Sequence, residues 1–125
     1  MKAMVITDFG GPEVFKEVEM PKPKPKCNEV LVKIYATSIN PVDFKIRKAG
    51  AWAEVKPPAI IGYDASGVVE EVGDDVRDFK VGDEVYYTPE VRGGLQGTYA
   101  EYRLTNRLSQ RSRKIYRMLK RQAFP

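Results

Sequence analysis

The sequence predicts a mainly β domain with short helices, folded as a small, partly open β-barrel. Three observations carry this expectation. Short β-prone runs recur at close spacing, 10 Gly and 9 Pro punctuate 125 residues, and one Asn-Pro-x-Asp corner offers a helix start. With 42% apolar residues, the chain can bury one modest core.

Taken in order, "MKAMVITDFGGPEVFKEVEM" reads as a hairpin: a strand at about Lys2 to Thr7, a turn at Asp8 to Pro12, and a strand at about Phe15 to Met20. Glycine tolerates positive φ in such a turn, and proline cannot join the ladder that follows. "PKPKPK", Pro21 to Lys26, alternates Pro with Lys and is expected as an extended, solvated spacer. "EVLVKIYATSI" carries apolar side chains on much of both faces, the pattern of a central strand. In "TSINPVDFKIRKAG", Asn40 suits the N-cap, Pro41 the first helical position, and Asp43 the third, near the positive helix end. Phe44 and Ile46 then face different sides of a helix of two turns. "WAEVKPP", Trp52 to Pro58, reads as a loop. Gly62 and Gly67 interrupt the β-prone run Ala59 to Gly73 and imply a bend, a bulge or close approach by another backbone. A corner at Lys80 to Asp83, a strand at about Glu84 to Thr88 and a strand at about Thr98 to Leu104 complete the domain.

Composition removes whole classes of chemistry. There is no histidine and a single cysteine, Cys27, so imidazole bases, Ser-His and Cys-His nucleophile pairs, internal disulfides and ordinary catalytic zinc sites are excluded. The acids are scattered and form no calcium-loop pattern, so no metal is expected. No long apolar run and no leader pattern is present, which makes a cytoplasmic protein the expectation. The net charge of +4 divides sharply. Residues 1–102 hold 13 Lys/Arg against 17 Asp/Glu, whereas 103–125 hold eight Lys/Arg and no acid. The expected division is a domain at 1–102 and a basic tail at 103–125, helical or disordered.

Four ordered stretches, "SINPVDFKIRKAG", "IIGYDASGVVEEVG", "FKVGDEVYY" and "GGLQGTYAEY", together resemble the GroES-like substrate domain of medium-chain dehydrogenase/reductases. The branch they resemble most is the zinc-independent quinone oxidoreductases. Where the zinc enzymes of that family carry a cysteine and a Gly-His-Glu, this chain has Asn40 and Gly62-Tyr63-Asp64. The resemblance implies a GroES-like, partly open barrel and hydride transfer from NADPH to a quinone or enone without metal. It implies that Asn40 lines the cleft beside the nicotinamide and donates its amide to cofactor or acceptor, while Asp43 caps and orients the helix on the cofactor side. Tyr63 stands at a zinc-ligand position, so its phenol either donates to a substrate oxygen or is a buried ring with a satisfied hydroxyl. Trp52 offers an aromatic wall for a planar acceptor or anchors a loop. Asp64, on the substrate side, can hold a neighbouring loop or side chain in place.

The family's Rossmann half, with its glycine-rich phosphate turn, has no counterpart in these 125 residues. The expectation is a truncated or frameshifted form that binds NADPH weakly or not at all and has little activity alone. Two other readings stand beside it. Leu108, Ile115, Met118 and Leu119 lie partly on one basic helical face that could take an acidic partner, although no nucleic-acid motif supports DNA or RNA and no membrane is expected. An inert fragment forming a homodimer through uncovered edges is the third.

Overall fold

The computed structural model describes residues 1–89, 91 and 96–105. Strand β1 (Lys2–Ile6) turns Ala3 and Val5 inward and Lys2 and Met4 outward, the period-two pattern of a half-buried strand. It pairs antiparallel with β2 (Phe15–Glu19), from Lys2 opposite Glu19 to Ile6 opposite Phe15. A 3-10 turn at Pro12–Val14 sits in the predicted hairpin connection. On its other edge β1 takes the two-residue strand β4 (Ala59–Ile60), completing a sheet of order β2-β1-β4.

The second sheet is built on β3 (Val30–Ala36), flanked by β5 (Ala65–Val72) and β7 (Tyr102–Thr105), with β6 (Glu84–Tyr87) outside β5. Val30, Leu31 and Val32 are buried, while Tyr35 and Ala36 at the far end of the strand are exposed. Val30, Val32, Val69 and Val85 form the core of this sheet. Gly67 sits where β5 passes close to β3: a Cβ there would collide with the carbonyl oxygen of Lys33. The register slips between Ile34 and Ala36, just beyond that approach.

The two sheets do not close into a barrel. They are joined by a segment expected as one strand over Thr98 to Leu104, and that expectation needs correction: only Tyr102–Thr105 is ladder. Upstream, Gly97 N–H donates to the Ile60 carbonyl at 2.7 Å, Met4 N–H donates to the Tyr99 carbonyl at 2.8 Å, and Glu101 N–H to the Lys2 carbonyl at 3.1 Å. These residues cross from one sheet to the other, so their polar groups are satisfied by changing partners rather than by one neighbour. The β7 ladder also carries on past the charge break at Tyr102, pairing Arg103 with Val32 and Thr105 with Val30. What the basic tail does beyond Thr105 falls on residues 106–125, outside the described residues. The Pro-Lys spacer is tied down at Lys22, whose ammonium pairs with Glu70 and stands 4.7 Å over the Tyr102 ring.

Helix α1 (Pro41–Ala49) is the one α-helix among the described residues and lies across the first sheet. Ile46 is fully buried with Ile6, Ala53, Val55, Ile61 and Tyr63, whereas Phe44 is half exposed, as the two-faced pattern predicts. Arg47 and Lys48 fill its last turn, where cations complement the helix dipole. No described helix is long and apolar enough to cross a membrane.

Candidate active site

The corner at the start of α1 is assembled from three pieces of chain. Asn40 is extended at φ −117° and ψ 158°, the usual conformation of an N-cap, and Asp43 falls at the third helical position of a capping box. The Asn40 backbone N–H donates to Asp43 Oδ2 at 2.7 Å. Pro41 leaves no amide to satisfy at the first helical position. The helix start expected from the sequence is thus the one observed.

The second piece is the turn between β4 and β5. Gly62, at φ +111°, bends it in a conformation that favours glycine, and a Cβ at that position would run into Thr98 and Tyr99. This bend carries Tyr63 into the core and Asp64 back towards the end of β3. Asp64 Oδ1 accepts the Ser38 backbone N–H at 2.7 Å, and Oδ2 accepts the Ser38 hydroxyl and the Asn40 Nδ2 amide, the latter at 3.0 Å. Burial pushes this carboxyl up, but the hydrogen bonds from Ser38, Asn40 and Thr37 outweigh burial and hold it below the usual carboxylate range. Asp64 is therefore ionised and occupied by the chain's own donors. Of the two expectations for Asp64, these bonds favour a side chain that holds its neighbours.

The third piece is the crossing segment. Thr98 is fully buried, and its hydroxyl lies 2.9 Å from that of Thr37, which in turn donates to the Asp64 carbonyl at 2.7 Å. Tyr99 faces Asp43. Burial, opposed by the Asn40 backbone bond and the Tyr99 phenol, holds the Asp43 carboxyl above its ordinary value. Burial and the Asp43 carboxylate likewise push the Tyr99 phenol up. A groove of about 390 Å³ opens between the sheets over Thr37, Thr98 and Tyr99, with Met4, Ile34 and Ala36 in its walls.

Asn40, Asp43, Tyr63 and Asp64 are thus brought together, but not in equivalent roles. Asn40 is half-buried and keeps one Nδ2 hydrogen beyond the one given to Asp64. Tyr63 is buried in the core beside Ile46 and Ile61, and its hydroxyl has no solvent-accessible surface and no hydrogen-bond partner. Burial and then the Asp43 charge push that phenol up to about 12. In this arrangement the hydroxyl is enclosed by the core rather than offered to the cleft. It is not satisfied there, so the alternative of a contented core phenol fails in part. Trp52 sits on a 3-10 turn at Gly50–Ala53 rather than in a plain loop, 47% exposed, with Ile39 at 85% nearer the corner in sequence. Thr37, Ser38, Thr98 and Tyr99 were not legible as site residues. Their signal was a cluster of hydroxyls in "ATSIN" and "GTYAEY", which only the fold brings together. Among the described residues, no group of three or more His, Cys, Asp or Glu side chains could hold a metal ion.

Comparison with known proteins shows the family. The family model of the alcohol dehydrogenase GroES-like domain matches residues 26–110. The quinone oxidoreductase of Lama guanicoe is 41% identical over 105 residues, which cover 83% of this chain and 31% of that protein. The chloroplastic NADPH-dependent alkenal/one oxidoreductase of Arabidopsis thaliana is 47% identical over 88 residues, covering 69% of this chain and 23% of that protein. The crystal structure of Escherichia coli quinone oxidoreductase complexed with NADPH matches with a TM-score of 0.73 at 32% identity, covering 83% of this chain and 30% of that one. This chain spans less than a third of the length of each of these relatives. It belongs to the alcohol dehydrogenase GroES-like domain family, within the medium-chain dehydrogenase/reductase superfamily and among the homologues of quinone oxidoreductases.

Proposed function

We propose that this chain supplies the acceptor-side wall of a metal-free reductase that passes hydride from NADPH to a quinone or an enone. The observation that carries the reading is Asn40: a half-buried carboxamide at the helix corner, held by two acids, with one N–H left over for a ligand. NADPH, when bound, supplies the hydride. A donor at this corner suits a carbonyl or hydroxyl oxygen of the nicotinamide riboside, or the oxygen of the acceptor, and Asn40 is the residue that would hold it. As hydride reaches the acceptor, negative charge grows on its oxygen, and a fixed N–H lowers the energy of that charge without having to reorient.

The other residues act through Asn40 or beside it. Asp43 fixes the backbone of the corner. Trp52, half exposed on the adjoining 3-10 turn, offers a planar apolar face for a ring. Tyr63 supports the helix from beneath. The donor set of this corner, an amide and an ionised carboxylate already occupied, does not suit zinc, and no step is assigned to a metal. The chain spans less than a third of the length of these relatives, and no glycine-rich dinucleotide turn occurs within its 125 residues. Binding of NADPH by the 125 residues alone is expected to be weak.

The test is fluorescence titration of NADPH together with turnover of a simple quinone and a simple enone, by this chain alone and after fusion to the nucleotide-binding half of a quinone oxidoreductase. Turnover by the fusion, reduced in its Asn40→Ala form, is the result expected. A folded, NADPH-binding fusion that reduces neither acceptor would overturn the reading.

A further inference from the structure

We propose that Asp64 is a positioning residue that makes Asn40 a donor, by fixing which way round its carboxamide is turned; the proposal rests on the reading of Asn40 given above. A carboxamide has nearly the same shape on its oxygen and nitrogen sides, so packing alone does not choose between the two orientations. Asp64 does choose. Its Oδ2 faces Nδ2 of Asn40 at 3.0 Å, and an ionised carboxylate can only accept. Turning the Asn40 oxygen towards it would set two acceptors against each other. Donors from Ser38 and Thr37 on the same carboxylate keep it ionised and in place. On the main-chain side the Asp43 carboxylate grips the Asn40 N–H at 2.7 Å. Two acids from separate elements therefore hold one residue by its backbone and by its side chain. The consequence is specific: Asp64→Asn is not conservative, because a second carboxamide can meet Asn40 with either edge.

The chain has three asparagines, Asn28, Asn40 and Asn106, so selective ¹⁵N-asparagine labelling gives three side-chain amide pairs. In the full 125-residue chain, one proton of the Asn40 pair is expected to exchange with water more slowly than its partner. Asp64→Asn should abolish most of that protection, by roughly tenfold, as expected for loss of a hydrogen bond to a charged group. Ser38→Ala removes one hydroxyl donor from Asp64 but keeps the Ser38 backbone N–H on it, so it should move the Asn40 pair far less than Asp64→Asn does. An Asn40 pair unchanged by Asp64→Asn, or moved as far by Ser38→Ala, overturns the proposal. If Asp64→Asn does not fold, acid titration of the wild-type chain makes the same comparison, with the Asp43 and Asp64 carboxyl resonances followed separately. The Asn40 pair must then move with Asp64, and movement that follows only Asp43 overturns the proposal. No turnover is needed for this readout, so a locked Asn40 in a fusion without reductase activity sinks the reductase reading alone.

Discussion

Asn40 gives its backbone N–H to Oδ2 of Asp43 at 2.7 Å, while the other oxygen of that carboxylate is buried without a hydrogen-bond partner of normal geometry. Asp43 is 3% exposed, and its carboxyl is held above the usual range, chiefly by burial. Asp64, 21 residues further along the chain on the β4–β5 turn, is held below that range by its donors. Two neighbouring acids are thus shifted in opposite directions. The consequence is a pair of opposite pH effects on stability.

For Asp43, whose folded-state pKa lies above its unfolded value, the favourable contribution is complete below about pH 4 and is lost as pH rises through the raised pKa. For Asp64, whose folded-state pKa is depressed, the contribution is present above about pH 4 and is lost as pH falls through the lowered pKa. Urea unfolding of the wild type, Asp43→Asn and Asp64→Asn between pH 2 and pH 7 measures both. The stability lost in Asp64→Asn should grow with pH, and that lost in Asp43→Asn should shrink. The same slope in both variants would contradict the assignment.

Tyr63 is the residue for which geometry and expectation part. Its ring fills the core under α1, and its hydroxyl is enclosed. Tyr63→Phe removes a buried hydroxyl that makes no hydrogen bond, so stability should change by no more than about 1 kcal/mol. Tyr63→Ala should cost about 3–5 kcal/mol through the cavity it leaves. In an active fusion, Tyr63→Phe should keep turnover within roughly threefold of wild type, short of the 10²–10³ lost with an oxyanion donor. A larger loss would show that the hydroxyl swings into the cleft during reaction.

Much of this arrangement is written locally in the chain. Asn40, Pro41 and Asp43 define the helix start from a few adjacent residues, because capping is a short-range interaction, and the hairpin and the central strand follow from alternation and turn chemistry. The crossing at Gly97 to Glu101 is different. Its β-prone residues look like the start of β7, yet each backbone group takes the partner that the packing of two sheets happens to bring near. Asp64 could be suspected of holding a neighbour, but that its partners are Ser38 and Asn40, 26 and 24 residues away, depends on the Gly62 bend. Tyr63 shows the same limit, since its side chain turns inward or towards the cleft according to one glycine dihedral.

The two faces of α1 give a direct measure of what holds the corner in place. Ile46 is fully buried against Ile6, Val55 and Ile61, and Phe44, two residues earlier, is 42% exposed. Ile46→Ala should lower the unfolding free energy by about 2–5 kcal/mol, and Phe44→Ala by less than about 1 kcal/mol. Denaturant unfolding decides it, and equal effects would mean that α1 docks on a different face.

Gly67 tests the second sheet, where the Asp64 clamp is anchored. In β5 it lies opposite Ile34, beside the register slip that ends the regular pairing with β3. A Cβ added there would overlap the Lys33 carbonyl oxygen, and main chain cannot rotate aside as a side-chain tip can. Either the two strands separate locally, with the loss of ladder hydrogen bonds, or the bulge moves. Asp64 sits immediately before β5 and Ser38 shortly after β3, so either adjustment shifts the two ends of the clamp relative to each other. Gly67→Ala is therefore expected to destabilise the chain by about 1–3 kcal/mol, the usual range for overpacking. It should also weaken protection of the Ser38 amide proton in hydrogen exchange. Protection at Val30 and Leu31, at the other end of β3, should be reduced only by the global loss of stability. A Gly67→Ala chain as stable as wild type would show that the close approach of β3 and β5 is not required by the fold.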